Sequence, residues 1–243
     1  MGVKIVRHPR PAEPNIRRVL EEFLDEQRDG LRPRTLARYE AVLDLLRSHL
    51  NGYAHEGLSA PEAARFERSY NAEGKEHREF CDLFGPEKIV ENLGSFLGYF
   101  MIRKVVGSES LLRSTGTVTK KLIQWLLEKG HIDQEMADKA LEIAMEAARE
   151  LPAAERLARM LYEYAQSHAP RHWTTELDDY FTVEEVEANC LYLSGMDSET
   201  GIVEVTVPRE IVEHCKVGWQ INLLLGETRS GWRILETGNV YPM

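Results

Sequence analysis

The spacing of apolar residues changes once along this chain, near residue 170, and that change restricts the fold more than any other feature. Upstream, apolar residues step by three and four, which lays one stripe along a helix. Residues 14–28 place Ile16, Val19, Leu20, Phe23 and Leu24 on such a stripe, and RDGLRP breaks it. Pro33 suits a first helical turn, after which Leu36, Tyr39, Leu43, Leu46 and Leu50 continue. Ser59 and Glu62 have capping-box spacing ahead of a short helix to about Tyr70, and NAEGKEHRE is expected as loop or frayed helix. From Pro86, the residues Ile89, Val90, Leu93, Phe96, Leu97, Phe100 and Met101 predict the most buried helix. Gly107 and Ser108 are expected to end it and begin the next, whose face of Val118, Leu122, Trp125 and Leu126 runs to Gly130 as the C′ residue. Two further helices are expected, one with Met136, Ala140 and Ile143, the other with Leu157, Leu161 and Tyr164, divided at Leu151-Pro152.

Beyond Pro170 the segments FTVEEVE, NCLYLSG, GIVEVTVP, GWQINLLLG and GWRILE are short, β-branched or aromatic, and bounded by Gly, Asp and Ser. So few strands protect their edges best by closing on one another. PREIVEHC reads as one helical turn inserted between two of them. The expected fold is therefore α+β: an all-α bundle over residues 1–172, then a small antiparallel β-barrel, SH3-like or OB-like, over 173–243. Trp219 and Trp232 each follow a glycine and fit either a rim or the core, the core being favoured because so small a barrel needs large side chains to fill it. Val240 and Tyr241 should tie the last residues to the barrel.

The chain carries a net charge of -10, against a surface positive all over. The charge is uneven: residues 1–50 hold 10 Lys and Arg against 8 Asp and Glu, whereas 151–200 hold 3 against 10. A polyanion would be received by the N-terminal helices. Cys81, Cys190 and Cys215 are odd in number, far apart and outside any CxxC pair, which fits a reducing compartment. MGVKIVRHPRPAEP lacks the apolar run of a signal peptide, and no stretch approaches a membrane span, so a cytoplasmic location without membrane contact is expected.

The stretch FLDEQRDGLRPRTLARYEAVLDLLRSHL resembles the opening of the core-binding domain of tyrosine recombinases and phage integrases, and TGTVTKKLIQWLLEKGHID resembles a later helix of that SAM-like domain. The likeness covers residues 15–133 with an interruption around 52–85. It implies an integrase-type bundle that clamps duplex DNA through backbone phosphates, with Arg32, Arg34, Arg38, Lys120 and Lys121 at matching positions and Arg113 and Thr117 near a helix N-terminus. Such cations on a rigid bundle would neutralise phosphates without reading sequence. Adjacent lysines on a helix are usually just a solvated face, the favoured reading for Lys120 and Lys121, and Trp125 reads as core rather than a stacking platform.

The resemblance stops before catalysis. Only 113 residues follow Gly130, too few for the large recombinase catalytic domain. SHAPRHW echoes the family's His-x-x-Arg motif through His168 and Arg171, yet Pro170 interrupts it, and an interdomain linker is the plainer reading. His168 and His172 lie close in sequence to Asp178 and Asp179, but the proline removes their shared helix face; His77 with Cys81 supplies two ligands at most. Glu184, Glu185 and Glu187 fall on a strand whose alternation sends neighbours to opposite faces. Nucleophile-elbow, phosphate-loop and dinucleotide motifs are lacking from the sequence. The expectation is a DNA-binding accessory or regulatory protein, not an enzyme, with neither catalytic nor metal-ligating residues and no cofactor. Its partner would be duplex DNA on the helices, or a protein on the barrel. The alternatives are a protein-interaction scaffold that keeps the helical fold alone, and an enzyme with its site at the domain junction.

Overall fold

A computed structural model of the protein describes residues 10–105, 109–196 and 201–242. The expected break at Gly107 and Ser108 lies outside the described residues. The helices are α1 (Ile16–Arg28), α2 (Pro33–Tyr53), α3 (Ala60–Tyr70), α4 (Phe80–Leu83), α5 (Glu87–Glu91), α6 (Leu93–Ser95), α7 (Met101–Arg103), α8 (Glu109–Glu128), α9 (Gln134–His168) and α10 (Arg209–Val212). The strands are β1 (Glu176–Glu187), β2 (Cys190–Ser194), β3 (Ile202–Thr206), β4 (Gln220–Thr228) and β5 (Gly231–Tyr241). Among the described residues no helix is long and apolar enough to cross a membrane.

The α+β class follows from the two periodicities, but the division does not fall at residue 173. One compact unit comprises Met1–Leu97 and Ser114–Glu146, the other Gly98–Arg113 and Ala147–Met243. The cause is α9. Local chemistry predicts a break at Pro152, yet α9 runs through it as one helix. An interior proline costs about 3 kcal/mol through a lost N–H and a crowded carbonyl. Beyond it, Leu157 and Leu161 are fully buried in the same apolar cluster as Phe181, Leu191, Val205 and Ile221 of the strands. Each buried leucine contributes about 1.5–3 kcal/mol, so the two together offset the proline. The last part of α9 is thus core for the barrel.

In the first unit the helix ends obey local chemistry. Asn15 caps α1 by accepting from the Arg18 N–H at 3.0 Å. Gly130, at φ +71°, ends α8 as expected, with its N–H donating to the Leu127 carbonyl and that of His131 to Leu126. Trp125 is core, 5% exposed, with its indole N–H donating to Glu26 at 2.8 Å. The single buried helix expected from Pro86 is instead broken into α5, α6, a π turn at Phe96–Phe100 and α7. Its stripe is still buried apart from half-buried Val90. The Asn92 side chain donates to the Lys88 carbonyl and Ser95 to the Asn92 carbonyl, side-chain bonds that compete with a regular helix.

The expected capping box is present: the Ser59 N–H and hydroxyl both meet Glu62 Oε2, at 3.0 and 2.5 Å. The half-exposed Glu62 also takes Lys88 Nζ at 2.8 Å. Lys88 first, then Ser59, holds the Glu62 carboxyl down at about 2. A carboxyl depressed in the folded state stabilises the fold above its ordinary value near 4.5 and loses that contribution as pH falls toward about 2. Glu62→Gln should therefore cost about 1–2 kcal/mol at neutral pH, the carboxylate being partly screened. The cost should vanish near pH 2; urea denaturation of both proteins across that range reads it.

In the second unit the strands pair in the order β1-β2-β3-β5-β4, and β4 pairs with β1, so the sheet closes on itself. The expected all-antiparallel arrangement is corrected at one seam: β3 and β5 run parallel at Val205 and Trp232. Five strands in a ring cannot alternate direction all the way round, so one parallel pair is unavoidable. The helical turn expected in PREIVEHC is α10, between β3 and β4. Trp219 is core at 2% exposure and Trp232 half-buried against it. Val240 and Tyr241 are buried at the end of β5.

Candidate nucleic-acid interface

Arg32, Arg34 and Arg38 are all exposed at the start of α2. Arg32 occupies the N-cap position, where it offers no side-chain oxygen to the helix, and no acidic residue stands in the first turn. Asp, Glu, Ser or Thr would be the stabilising choice there, because the N-terminus is the positive end of the helix dipole. Cations at this end cost about 0.3–1 kcal/mol each where they are not matched. None of the three guanidinium groups forms an ion pair or a side-chain hydrogen bond among the described residues.

Lys120 and Lys121 are likewise exposed and unmatched among the described residues, on the outer face of α8 opposite buried Val118, Leu122 and Leu126. Thr117 is exposed one turn earlier on that face. Among the described residues, seven other cations of this unit hold carboxylates, whereas Arg65, Arg68 and Arg78 bond backbone carbonyls and Arg10 and Lys75 are exposed without a carboxylate partner. Arg17 holds Asp82 and Glu79, Arg18 holds Glu22, Arg28 holds Asp25, and Arg47 holds Asp44. Lys129 bonds Glu26 at 2.6 Å. A 230 Å³ cleft between α1 and α2 has walls that include Arg17 and Arg47, both already matched.

Phe23 of α1 connects the two cationic helices. Its ring stacks on Tyr39 of α2 at 6.1 Å and meets Trp125 of α8 edge-on at 5.6 Å. The start of α2 and the later half of α8 thus rest on one buried side chain. Arg113 stands apart: it falls in the other unit, and its guanidinium meets Glu109 at 3.1 Å, one turn back.

The outer face of β1, β2 and β3 is acidic. Glu185 pairs across to Tyr192 and Tyr192 to Glu204, so two carboxylates flank one phenol. Simple alternation would place Glu184 and Glu185 on opposite faces; a register shift between Val183 and Glu185 leaves both exposed instead. Met196 and Ile202 add apolar area, 70% and 68% exposed. This surface repels polyanions.

The four residues that pose a metal question are not drawn into one site. His168 and His172 line a cleft beside the β4–β5 hairpin, whereas Asp178 and Asp179 do not. Asp179 instead accepts from the Met196 N–H at 2.8 Å. Among the described residues no three His, Cys, Asp or Glu side chains gather in a way that could hold a metal ion. Burial pushes the Cys81 and Cys215 thiols up to about 12 and Cys190 to about 11, so none is a thiolate near neutral pH. The sequence reading missed Trp173, Arg229 and Arg233, which share the cleft with the histidines. The one sequence signal was a tryptophan next to a Pro-interrupted basic stretch, which reads equally as linker. No family model, characterised protein or solved structure matches this chain closely enough to assign it to a family.

Proposed function

We propose that the protein is a non-catalytic nucleic-acid-binding factor whose helical unit holds duplex DNA by its backbone phosphates, in the manner of an integrase-type core-binding domain. One observation carries this reading: Arg32, Arg34 and Arg38 of α2 and Lys120 and Lys121 of α8 are exposed and unmatched among the described residues, while Arg17, Arg18 and Arg28 of α1, Arg47 of α2 and Lys129 just past α8 hold carboxylates. Arg32 and Arg34 stand at the uncapped positive end of α2, a placement that favours a bound anion over bare solvent, and Arg38 follows in the second turn. Arg113 is left out of the interface, because it is held by Glu109, a carboxylate it shares with Arg156. We read the closed sheet as OB-type rather than SH3-type, from its strand order, its parallel β3–β5 seam and the helix between β3 and β4.

The test is fluorescence anisotropy of a labelled duplex against the full-length protein across a salt series. Phosphate contacts release counterions, so log affinity should fall linearly with log salt, by about 0.9 per contact. Arg34→Glu with Lys120→Glu should flatten that slope by about 2 and weaken binding at least tenfold at low salt. Both positions are exposed, so folding should be unaffected. An absence of binding at low salt, or binding that ignores the double reversal, sinks the proposal.

The second reading has its own observation, the acidic Glu185–Tyr192–Glu204 row with exposed Met196 and Ile202 beside it. That face suits a basic protein segment. It predicts that Glu185→Lys with Glu204→Lys abolishes capture of such a partner and leaves duplex binding intact.

A further inference from the structure

The cleft beside the β4–β5 hairpin lies wholly within the barrel unit, and no part of the duplex reading uses it. Its volume is about 670 Å³, within the 300–1,000 Å³ typical of small-ligand sites. One wall is the segment that leaves α9. That segment is fixed to the sheet by two backbone bonds, Thr174 N–H to the Glu227 carbonyl and Glu227 N–H to the Thr175 carbonyl, both 2.9 Å. The other wall is the hairpin itself, tightened by the Thr228 hydroxyl donating to the Gly231 carbonyl at 2.7 Å and by Gly231 at φ +95°. The first wall is irregular chain tethered to the sheet at Thr174 and Thr175; the second is a hairpin.

Three features of the lining point to one ligand chemistry. First, Trp173 is 41% exposed, while Trp125 and Trp219 are buried. Its indole N–H donates to Glu176 at 2.5 Å, so one surface bond orients an aromatic face that is left open. Orienting a bare indole in water stabilises little, whereas such a face stacks well against a planar ring. Second, residues 173–243 contain thirteen Asp and Glu against four Lys and Arg. Two of those four, Arg229 and Arg233, line this cleft together with His168 and His172; among its described lining residues Glu227 is the one carboxylate, and Glu176 stands beside Trp173. A cationic pocket in so acidic a domain is a local departure, and guanidinium forks are suited to phosphate. Third, the Arg233 guanidinium is anchored beside the hairpin, where it donates to the Trp232 carbonyl at 2.8 Å and lies 3.4 Å from the Ser230 hydroxyl. Arg229 stays exposed with no ion pair among the described residues.

We infer that this cleft binds a nucleotide, with its base on Trp173 and its phosphate on Arg229 and Arg233. Glu227 accepts from sugar hydroxyls. His168, stacked on Tyr164 at 4.6 Å between ring centroids, closes the helical side. The same chemistry is presented by a free nucleotide and by one residue of a single strand, and the probes below separate the two.

The experiment is isothermal titration of the full-length protein at low salt with AMP, adenosine, inorganic phosphate and a ten-residue oligothymidylate. AMP should bind more tightly than adenosine or phosphate alone. Arg229→Ala and Arg233→Ala should each weaken it at least tenfold, and Trp173→Ala likewise, with Trp173→Phe restoring most of the loss. Oligothymidylate that binds at least tenfold more tightly than AMP marks single strands as the source; equal affinities mark the free nucleotide. The inference is overturned if neither probe binds at about 1 mM, if phosphate alone matches AMP, or if the cleft substitutions change nothing. Arg34→Glu with Lys120→Glu should leave AMP binding untouched, so this result and the duplex result can fail independently.

Discussion

Leu157→Ala should lower stability by about 2–5 kcal/mol, the range for a fully buried leucine whose site cannot collapse, and Leu161→Ala should do the same. Both side chains are 0% exposed and belong to the apolar cluster of the strands. Their loss opens a cavity in the barrel, so the transition seen by Trp219 in that cluster and Trp232 packed against it should move to lower urea. A corollary follows for truncation. The fragment 173–243 lacks both leucines and should give no cooperative unfolding transition, whereas 147–243 retains the helical wall; circular dichroism under urea separates the two outcomes. If 173–243 unfolds cooperatively and as steeply as the longer piece, α9 is not core.

Phe23→Ala carries the second large effect, about 3–5 kcal/mol. Phe23 is 0% exposed and its ring meets both Tyr39 and Trp125. Removing it leaves the start of α2 and the later half of α8 without their common support. The substitution should therefore reduce duplex affinity as well as stability, although Phe23 touches no ligand. Phe23→Leu keeps most of the volume, should cost much less, and should restore binding; near-equal losses for the two variants would show that the ring does not align these helices.

Much of the fold was legible because it rests on local rules. Ser59 with Glu62 as a capping box and Gly130 as the residue ending α8 are each set by a few neighbouring residues. The β-branched runs beyond residue 173 marked the strands, and PREIVEHC marked the helical turn among them. What failed was non-local. Pro152 predicts a break by every local criterion, and α9 persists because leucines beyond it are buried by strands that come later in the chain. The asparagine and serine that interrupt the helical run after Pro86 act through bonds invisible to periodicity.

The candidate site divides in the same way. Arg32, Arg34, Arg38, Lys120 and Lys121 were readable as cations on solvent faces, since helical spacing fixes which face a residue occupies. That Glu109 matches Arg113 and Asp44 matches Arg47, while these five have no carboxylate within reach among the described residues, depends on how side chains extend over the surface, which spacing alone does not fix. The cleft was not readable at all: Trp173 and Arg229 are more than fifty residues apart, and only closure of β1 onto β4 puts the two segments side by side. By itself the sequence determined helical and strand periodicity and the signs of the surfaces they present, because backbone geometry and burial periodicity act within a few residues; it did not determine helix continuity at Pro152 or the breaks after Pro86. The tertiary structure decided where the units divide, which charges are left unmatched and where a pocket forms, because those depend on contacts between segments distant in the chain.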